Sequence, residues 1–269
     1  MPTALRPTTA LLVLAVLGTP AAAPFNMLLP QAASAKRGEA VTLVYQWGHP
    51  FEHQLFDALA PQGLFVLRPD GQKTDLTPAL EKITVPTAGP KTVTAYQVRF
   101  TPDQRGDYLF VLNTPPIWME EDQEFLHDTV KVVLHVQAQK GWDGAVGAPL
   151  EMVPLTRPYG LQPGLVFQAQ ALADAKPLAG TLVEIEHYNP APPKRLPPDE
   201  HITRTARTDP NGVVTATLTD PGWWCLTTQR DGGQRDHNGK HYPVRRRTTL
   251  WVFVDGTIRF TDNKAADTP

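Results

Sequence analysis

Over residues 129–137 the side chains alternate: Val130, Val132, Leu134 and Val136 share one parity, and Lys131, Val133, His135 and Gln137 the other. A period of two is the signature of a strand with one buried face. The same beat returns at 93–100, and shorter strand-like runs stand at 41–45, 64–67 and 108–112. Turn signals such as Pro69-Asp70-Gly71 separate the runs. With 28 prolines and no long amphipathic helical pattern, a helical bundle is excluded. Strand-like runs continue in the second half, at 150–155, 165–172, 181–188, 201–208, 213–218, 223–228 and 250–254.

The glycine-rich stretch 140–147 (KGWDGAVG) reads as a passage between two units. The expected architecture is therefore all-β, with one β-sandwich of immunoglobulin-like type over 24–140 and a second over 148–258. Residues 259–269 are expected to form a disordered tail. Asp209-Pro210-Asn211-Gly212 reads as a hairpin turn, because Asn-Gly favours positive φ. Residues 189–198 (NPAPPKRLPP) read as a stiff surface excursion. The segment 231–247 is expected to carry a hairpin tip with exposed His237 and His241, followed by a solvated face at Arg245-Arg246-Arg247.

The start of the chain has the layout of an export signal. Arg6 gives a positive charge, 10–18 an apolar run, and Ala21-Ala22-Ala23 small residues suited to cleavage. Residues 1–23 are thus expected to be a signal peptide, and the protein periplasmic or secreted. No second apolar stretch is long enough to span a membrane, so none is expected in the mature chain. A net charge of −2 argues against a nucleic-acid partner. Cys225 is the single cysteine, so no intrachain disulfide can form, and it is expected to be a buried, inert thiol.

Two stretches concentrate ligand-type side chains. Trp47-Gly48-His49-Pro50-Phe51-Glu52-His53 places two imidazoles four residues apart around a carboxylate. If Pro50 opens a helical turn, His49 and His53 lie one turn apart and can converge on one ion. The second stretch, 118–128, carries Glu120, Glu121, Asp122, Glu124 and His127. Should both project from the same rim, His127 and Glu121 would complete a site begun by His49, Glu52 and His53. Imidazole with carboxylate suits Ni, Co, Zn or Cu ions. His187, flanked by Glu184 and Glu186, is expected to be structural. No nucleophile elbow, zincin helix or phosphate loop is present, so the expectation is a binding protein and not an enzyme.

The segments Trp47-Gly48-His49-Pro50-Phe51-Glu52-His53, Pro115-Pro116-Ile117-Trp118-Met119-Glu120-Glu121, Pro154-Leu155-Thr156-Arg157-Pro158-Tyr159-Gly160 and Pro221-Gly222-Trp223-Trp224 together resemble an exported family of NikM/NikK-like proteins. Much of that family is described only as a domain of unknown function. The resemblance runs from about Phe25 to Val254. It implies two β-domains, periplasmic handling of nickel or cobalt, and a membrane metal-transporter component as partner. The second domain resembles transthyretin-like or carboxypeptidase-regulatory-type sandwiches. Many relatives have His-Phe where this chain has Pro24-Phe25, which gives them a chelating histidine near the new amino terminus. Pro24 removes that donor here. The expected function is accessory binding of a Ni/Co-class ion; the alternative is a metal-free interaction module that binds a protein or glycan through its Pro-rich and His-rich loops.

Overall fold

The computed structural model describes residues 23–87 and 89–257. Apart from Ala23, the expected signal peptide lies outside the described residues, as does the expected tail. The leading half runs through β1 (Phe25–Pro30), β2 (Ser34–Ala35), β3 (Val41–His49), β4 (Gln54–Phe56), β5 (Gly63–Leu67) and β6 (Lys73–Asp75). It continues through β7 (Glu81–Pro86), β8 (Thr92–Phe100), β9 (Gly106–Asn113), β10 (Ile117–Met119) and the long β11 (Glu124–Val136). The trailing half opens with β12 (Leu150–Pro154), β13 (Val166–Ala173), β14 (Lys176–Pro177) and β15 (Leu182–His187). It closes with β16 (Arg204–Arg207), β17 (Val213–Thr217), β18 (Gly222–His237) and β19 (Lys240–Val254). The chain is all-β, and among the described residues no helix is long and apolar enough to cross a membrane.

Three sheets hold these strands. A five-stranded sheet, ordered β1-β3-β8-β7 with β4 on β3, covers one side of the leading half. A four-stranded sheet, β12-β13-β14 with β17 on β13, covers one side of the trailing half. Opposite both runs a single ten-stranded sheet, β16-β15-β18-β19-β11-β9-β5-β6, with β10 and β2 on β11. Its middle is a parallel pairing, β11 with β19, from Phe125↔Val244 to Val132↔Trp251. Each half has its own apolar core, and the shared sheet serves both. Trp223, Cys225 and Trp251 pack into the leading core, while Trp224, Leu226, Leu250 and Val252 pack into the trailing one. Cys225 is fully buried, and its apolar surroundings push the thiol pKa up. That removes its nucleophilicity, in line with an inert packing role.

β11 departs from the half-exposed strand that its alternation suggests. Flanked by β9 on one edge and β19 on the other, it is buried on both faces. Lys131 is therefore enclosed and pairs with the equally buried Glu151, whose carboxylate also accepts the Val146 and Gly147 N–H groups. The arginine triplet also departs from the solvated face expected of it. Arg245 binds Glu124 at 2.6 Å, and Arg247 is fully buried against Asp128, with Nη2–Oδ2 at 2.5 Å and Nε–Oδ1 at 2.9 Å. Asp128 also accepts from Asn26 Nδ2 at 2.6 Å, and Asn26 in turn accepts the Tyr45 hydroxyl at 2.7 Å. Four strands, β1, β3, β11 and β19, meet in this polar network. The Asp209–Gly212 turn is tight, with Gly212 at φ +75°, but it carries the chain from β16 in the large sheet to β17 in the small one. It is a crossover between sheets and not a hairpin, because Val213–Thr217 pairs with β13.

Removing one member of a buried ion pair leaves the other charge without compensation, which costs about 3–5 kcal/mol. Asp128→Ala should therefore lower the stability of the chain by about that amount, read as a lower urea midpoint in equilibrium unfolding. A loss below about 1 kcal/mol would show that Arg247 finds another partner.

Candidate functional site

The inward parity of β3 carries Val41, Leu43 and Tyr45 into the leading core and then continues past the end of the sandwich with Trp47 and His49. β4 folds back on β3, pairing Trp47 with Phe56, Gly48 with Leu55 and His49 with Gln54. The reversal is close: a Cβ on Gly48 would lie 2.0 Å from the Gln54 carbonyl oxygen, so only glycine fits there. From the opposite sheet β10 and the turn into β11 bring Trp118, Met119, Glu120, Glu121 and Asp122. Ala23 and Pro24, leading into β1, close the remaining side. Together they line a pocket of about 440 Å³ at the open mouth of the sandwich.

Its walls are aromatic and fixed. Trp47 packs on Phe56 at 5.5 Å between ring centroids, and His49 meets Phe56 edge-on at 5.6 Å. Trp118 donates its Nε1–H to Glu120 at 2.6 Å and packs on Phe125 at 5.0 Å. The far end of the β18–β19 ribbon props it from behind, with His237 stacked at 4.3 Å and Tyr242 edge-on at 4.8 Å. His237 is thus a support for the pocket wall and not the exposed loop histidine its sequence context suggests. The Trp47 indole N–H is buried with no partner among the described residues. Burial pushes the His49 imidazole below its ordinary pKa, with the Glu52 carboxylate opposing. The ring is accordingly neutral at neutral pH, the form that binds a metal ion.

Of the five expected ligands, the structure brings His49 and Glu121 to this pocket and leaves His53, Glu52 and His127 outside its lining. Residues 50–53 form the turn of the β3–β4 hairpin, not a helical turn, so the four-residue spacing does not make the two imidazoles converge. His53 adopts φ +52° and turns toward the trailing half, where its Nδ1 lies 2.9 Å from the Asn189 carbonyl oxygen. Its ring packs on Tyr188 at 6.0 Å. His127 pairs in register with Arg246 on β19, and burial together with the Arg246 and Arg235 guanidiniums lowers its pKa. Two neighbouring cations make that position hostile to a third. Among the described residues no group of three His, Cys, Asp or Glu side chains stands close enough to hold a metal ion.

The turn has a different task, which is to fasten the two halves together. Phe51 N–H donates to Glu186 Oε1 at 3.1 Å, Asn189 N–H to the Pro50 carbonyl at 3.0 Å, and Asn189 Nδ2 to the Phe51 carbonyl at 2.5 Å. Glu186 is buried on β15 and also accepts the Thr203 hydroxyl at 2.5 Å. Burial raises its pKa to about 7, against the opposing pull of those two hydrogen bonds. His187 is structural as expected, with Nε2 at 2.9 Å from the Pro221 carbonyl. Trp47 and Phe56 were open to detection in the sequence, since Trp47 shares the inward parity of β3. Glu186 and Asn189 gave no such signal.

The strands and sheets define an all-β protein of sandwich type with an aromatic and acidic pocket at the end of its leading half. The chain is a member of a family described as a domain of unknown function (DUF4198), whose profile matches residues 21–232. No curated protein matches it. Among solved structures, an Escherichia coli alpha-2-macroglobulin activated by porcine elastase is 16% identical, with a TM-score of 0.25, over 86% of this chain and 20% of that one. A DUF4785 family protein from Legionella pneumophila is 12% identical, with a TM-score of 0.26, over 74% of this chain and 50% of its own length. The adhesin InvE of Yersinia pseudotuberculosis is 12% identical, with a TM-score of 0.23, over 89% and 65%. The chain thus spans about a fifth of the macroglobulin and half of the Legionella protein.

Glu186 generates a pH prediction. Its folded pKa is raised above the unfolded value of 4.5, so the folded state holds the proton more tightly. Its contribution to stability is full below pH 4.5 and is lost as the pH rises to about 7, a change of roughly 3 kcal/mol. Glu186→Gln keeps an acceptor for the Phe51 N–H and cannot ionise. Unfolding free energies measured between pH 5 and 8 should fall less steeply for the variant, which should be the more stable protein at the alkaline end.

Proposed function

We propose that the protein is an exported binding protein that carries a transition-metal species of the nickel or cobalt class in the His49 pocket and delivers it to a membrane transporter. One observation carries this reading: β3 delivers a neutral imidazole to the same pocket that receives Glu120, Glu121 and Asp122 from the β10–β11 turn. An imidazole with carboxylates is a donor set that nickel, cobalt and zinc all accept. The metal is cargo here, so an incomplete, open donor set is compatible with release. The resemblance to NikM/NikK-like proteins supports the same class of ion, and Pro24 stands on the pocket wall without the donor of those relatives. That is the position at which many relatives have histidine. The export signal read at the start of the chain would bring the protein to the compartment where such uptake begins.

Titration calorimetry of the mature chain with NiCl2 tests the reading. His49→Ala should weaken binding at least about tenfold, or ~1.4 kcal/mol. His53→Ala should leave the affinity unchanged, because that imidazole is committed to Asn189. Equal affinity of wild type and His49→Ala would remove the pocket from metal binding. Pro24→His should act in the opposite direction, adding a donor and tightening Ni binding by about tenfold.

A further inference from the structure

The pocket is built for something larger than an ion. Its volume of about 440 Å³ falls within the range of about 300–1,000 Å³ that holds small organic molecules. A single water occupies about 30 Å³, and a hydrated-ion site needs only a few of those. The protein donors are also too few. A structural metal site uses about four side-chain ligands, and the described residues bring no three together. A bare ion in this pocket would keep most of its water and make little use of the walls.

Those walls are the costly part of the design. Three aromatic faces, Trp47, Phe56 and Trp118, are held in place by mutual packing, by the Glu120 carboxylate and by the tip of the β18–β19 ribbon. Rigid aromatic surface gives binding energy to a flat organic ligand and none to a small hydrated ion. The lining carries three carboxylates and neither lysine nor arginine, so the favoured ligand is positively charged. The buried Trp47 Nε1–H lacks an acceptor, and a ligand atom can supply one.

We propose that the cargo of this pocket is a small cationic metal chelate: an organic nitrogen-donor ligand encloses most of the ion, its planar face lies against the indole walls, and His49 takes an open coordination position. This rests on the pocket being the metal site argued above, and adds the class of molecule that brings the metal. The exchange at His49 is a simple ligand substitution, in which a coordinated water leaves and the imidazole nitrogen takes its place. The oxidation state of the ion does not change.

The test compares four probes on the intact mature chain: NiCl2, the one-to-one nickel–terpyridine cation, the anionic nickel–citrate complex, and terpyridine alone. Binding is followed by calorimetry and by quenching of tryptophan emission. The terpyridine complex should bind at least about tenfold more tightly than NiCl2, and citrate should give no gain. Trp118→Ala should abolish the gain of the chelate over NiCl2, and His49→Ala should weaken the binding of both. Trp118→Phe, which keeps the packing against Phe125, serves if the alanine variant fails to fold, and should retain part of the gain. NiCl2 binding as tightly as the chelate would overturn the proposal and leave the metal reading standing. Terpyridine alone binding as well as its nickel complex would also overturn it, showing an aromatic site indifferent to metal. Failure of every nickel probe would sink both readings.

Discussion

The buried pair between Asp128 and Arg247 holds the molecule to one arrangement. These residues face each other across the parallel β11–β19 seam, where the leading and trailing halves become one sheet. A charge pair enclosed this completely is tolerable only when nearly every donor and acceptor is matched. The Asp128 carboxylate accepts from two Arg247 nitrogens and from Asn26, and its backbone N–H donates to the Thr114 hydroxyl, while Arg247 Nη1 is buried with no partner among the described residues. A slip of one residue along the seam would exchange the faces of β19 and take Arg247 off the face that holds Asp128. The pair thus fixes register over Arg245 to Thr249, a stretch of β19 that is polar in sequence and carries no hydrophobic pattern of its own.

That register reaches the pocket. Arg247 Nη2 also donates to the Pro24 carbonyl at 2.8 Å, and the Trp251 indole donates to the Asn26 carbonyl at 3.1 Å. Two residues of β19 therefore set the path of the chain as it enters β1, and Pro24 and Ala23 lie on the pocket wall as a result. The same ribbon, followed outward to its tip, ends with His237 and Tyr242 against Trp118. One element of the trailing half thus positions both sides of a pocket whose lining belongs wholly to the leading half.

Strands were legible wherever one rule, the period of two, operated without competition. The residues of β8 read directly from alternation, those of β3, β5 and β9 from short apolar strand-like runs, and the tight turn at 209–212 from its Asn-Gly. Reading failed where a strand is central to a large sheet. Burial on both faces erases the distinction between core and solvent parity, so Lys131 and Arg247 looked like surface charges until their partners, Glu151 and Asp128, were found on distant strands. No local pattern encodes a pairing across 119 residues. At the site, His49 and Glu121 were legible as ligand-type residues near strand ends. Their companions were misjudged because a spacing of four suggests convergence only on a helix, and the 50–53 segment is a hairpin turn.

The Trp47–His53 motif is better understood as two short motifs with opposite outlooks, divided at Gly48 and Pro50. Strand geometry holds Trp47 and His49 on the inner face, while the turn that follows presents its backbone to β15 and the 188–189 segment. Glu186 sits under that turn as a buried carboxyl poised near neutrality, and Glu52, with an unpartnered buried oxygen, adds negative charge both to it and to His49. Ionising Glu186 strengthens the hydrogen bonds it accepts but places two carboxylates close together under a turn only four residues long. Glu52 thus lies within electrostatic reach of both the contact between the halves and the imidazole facing the pocket. A motif that looked like a ligand cluster owes its density of titratable groups to serving two neighbours at once, one that binds and one that fastens.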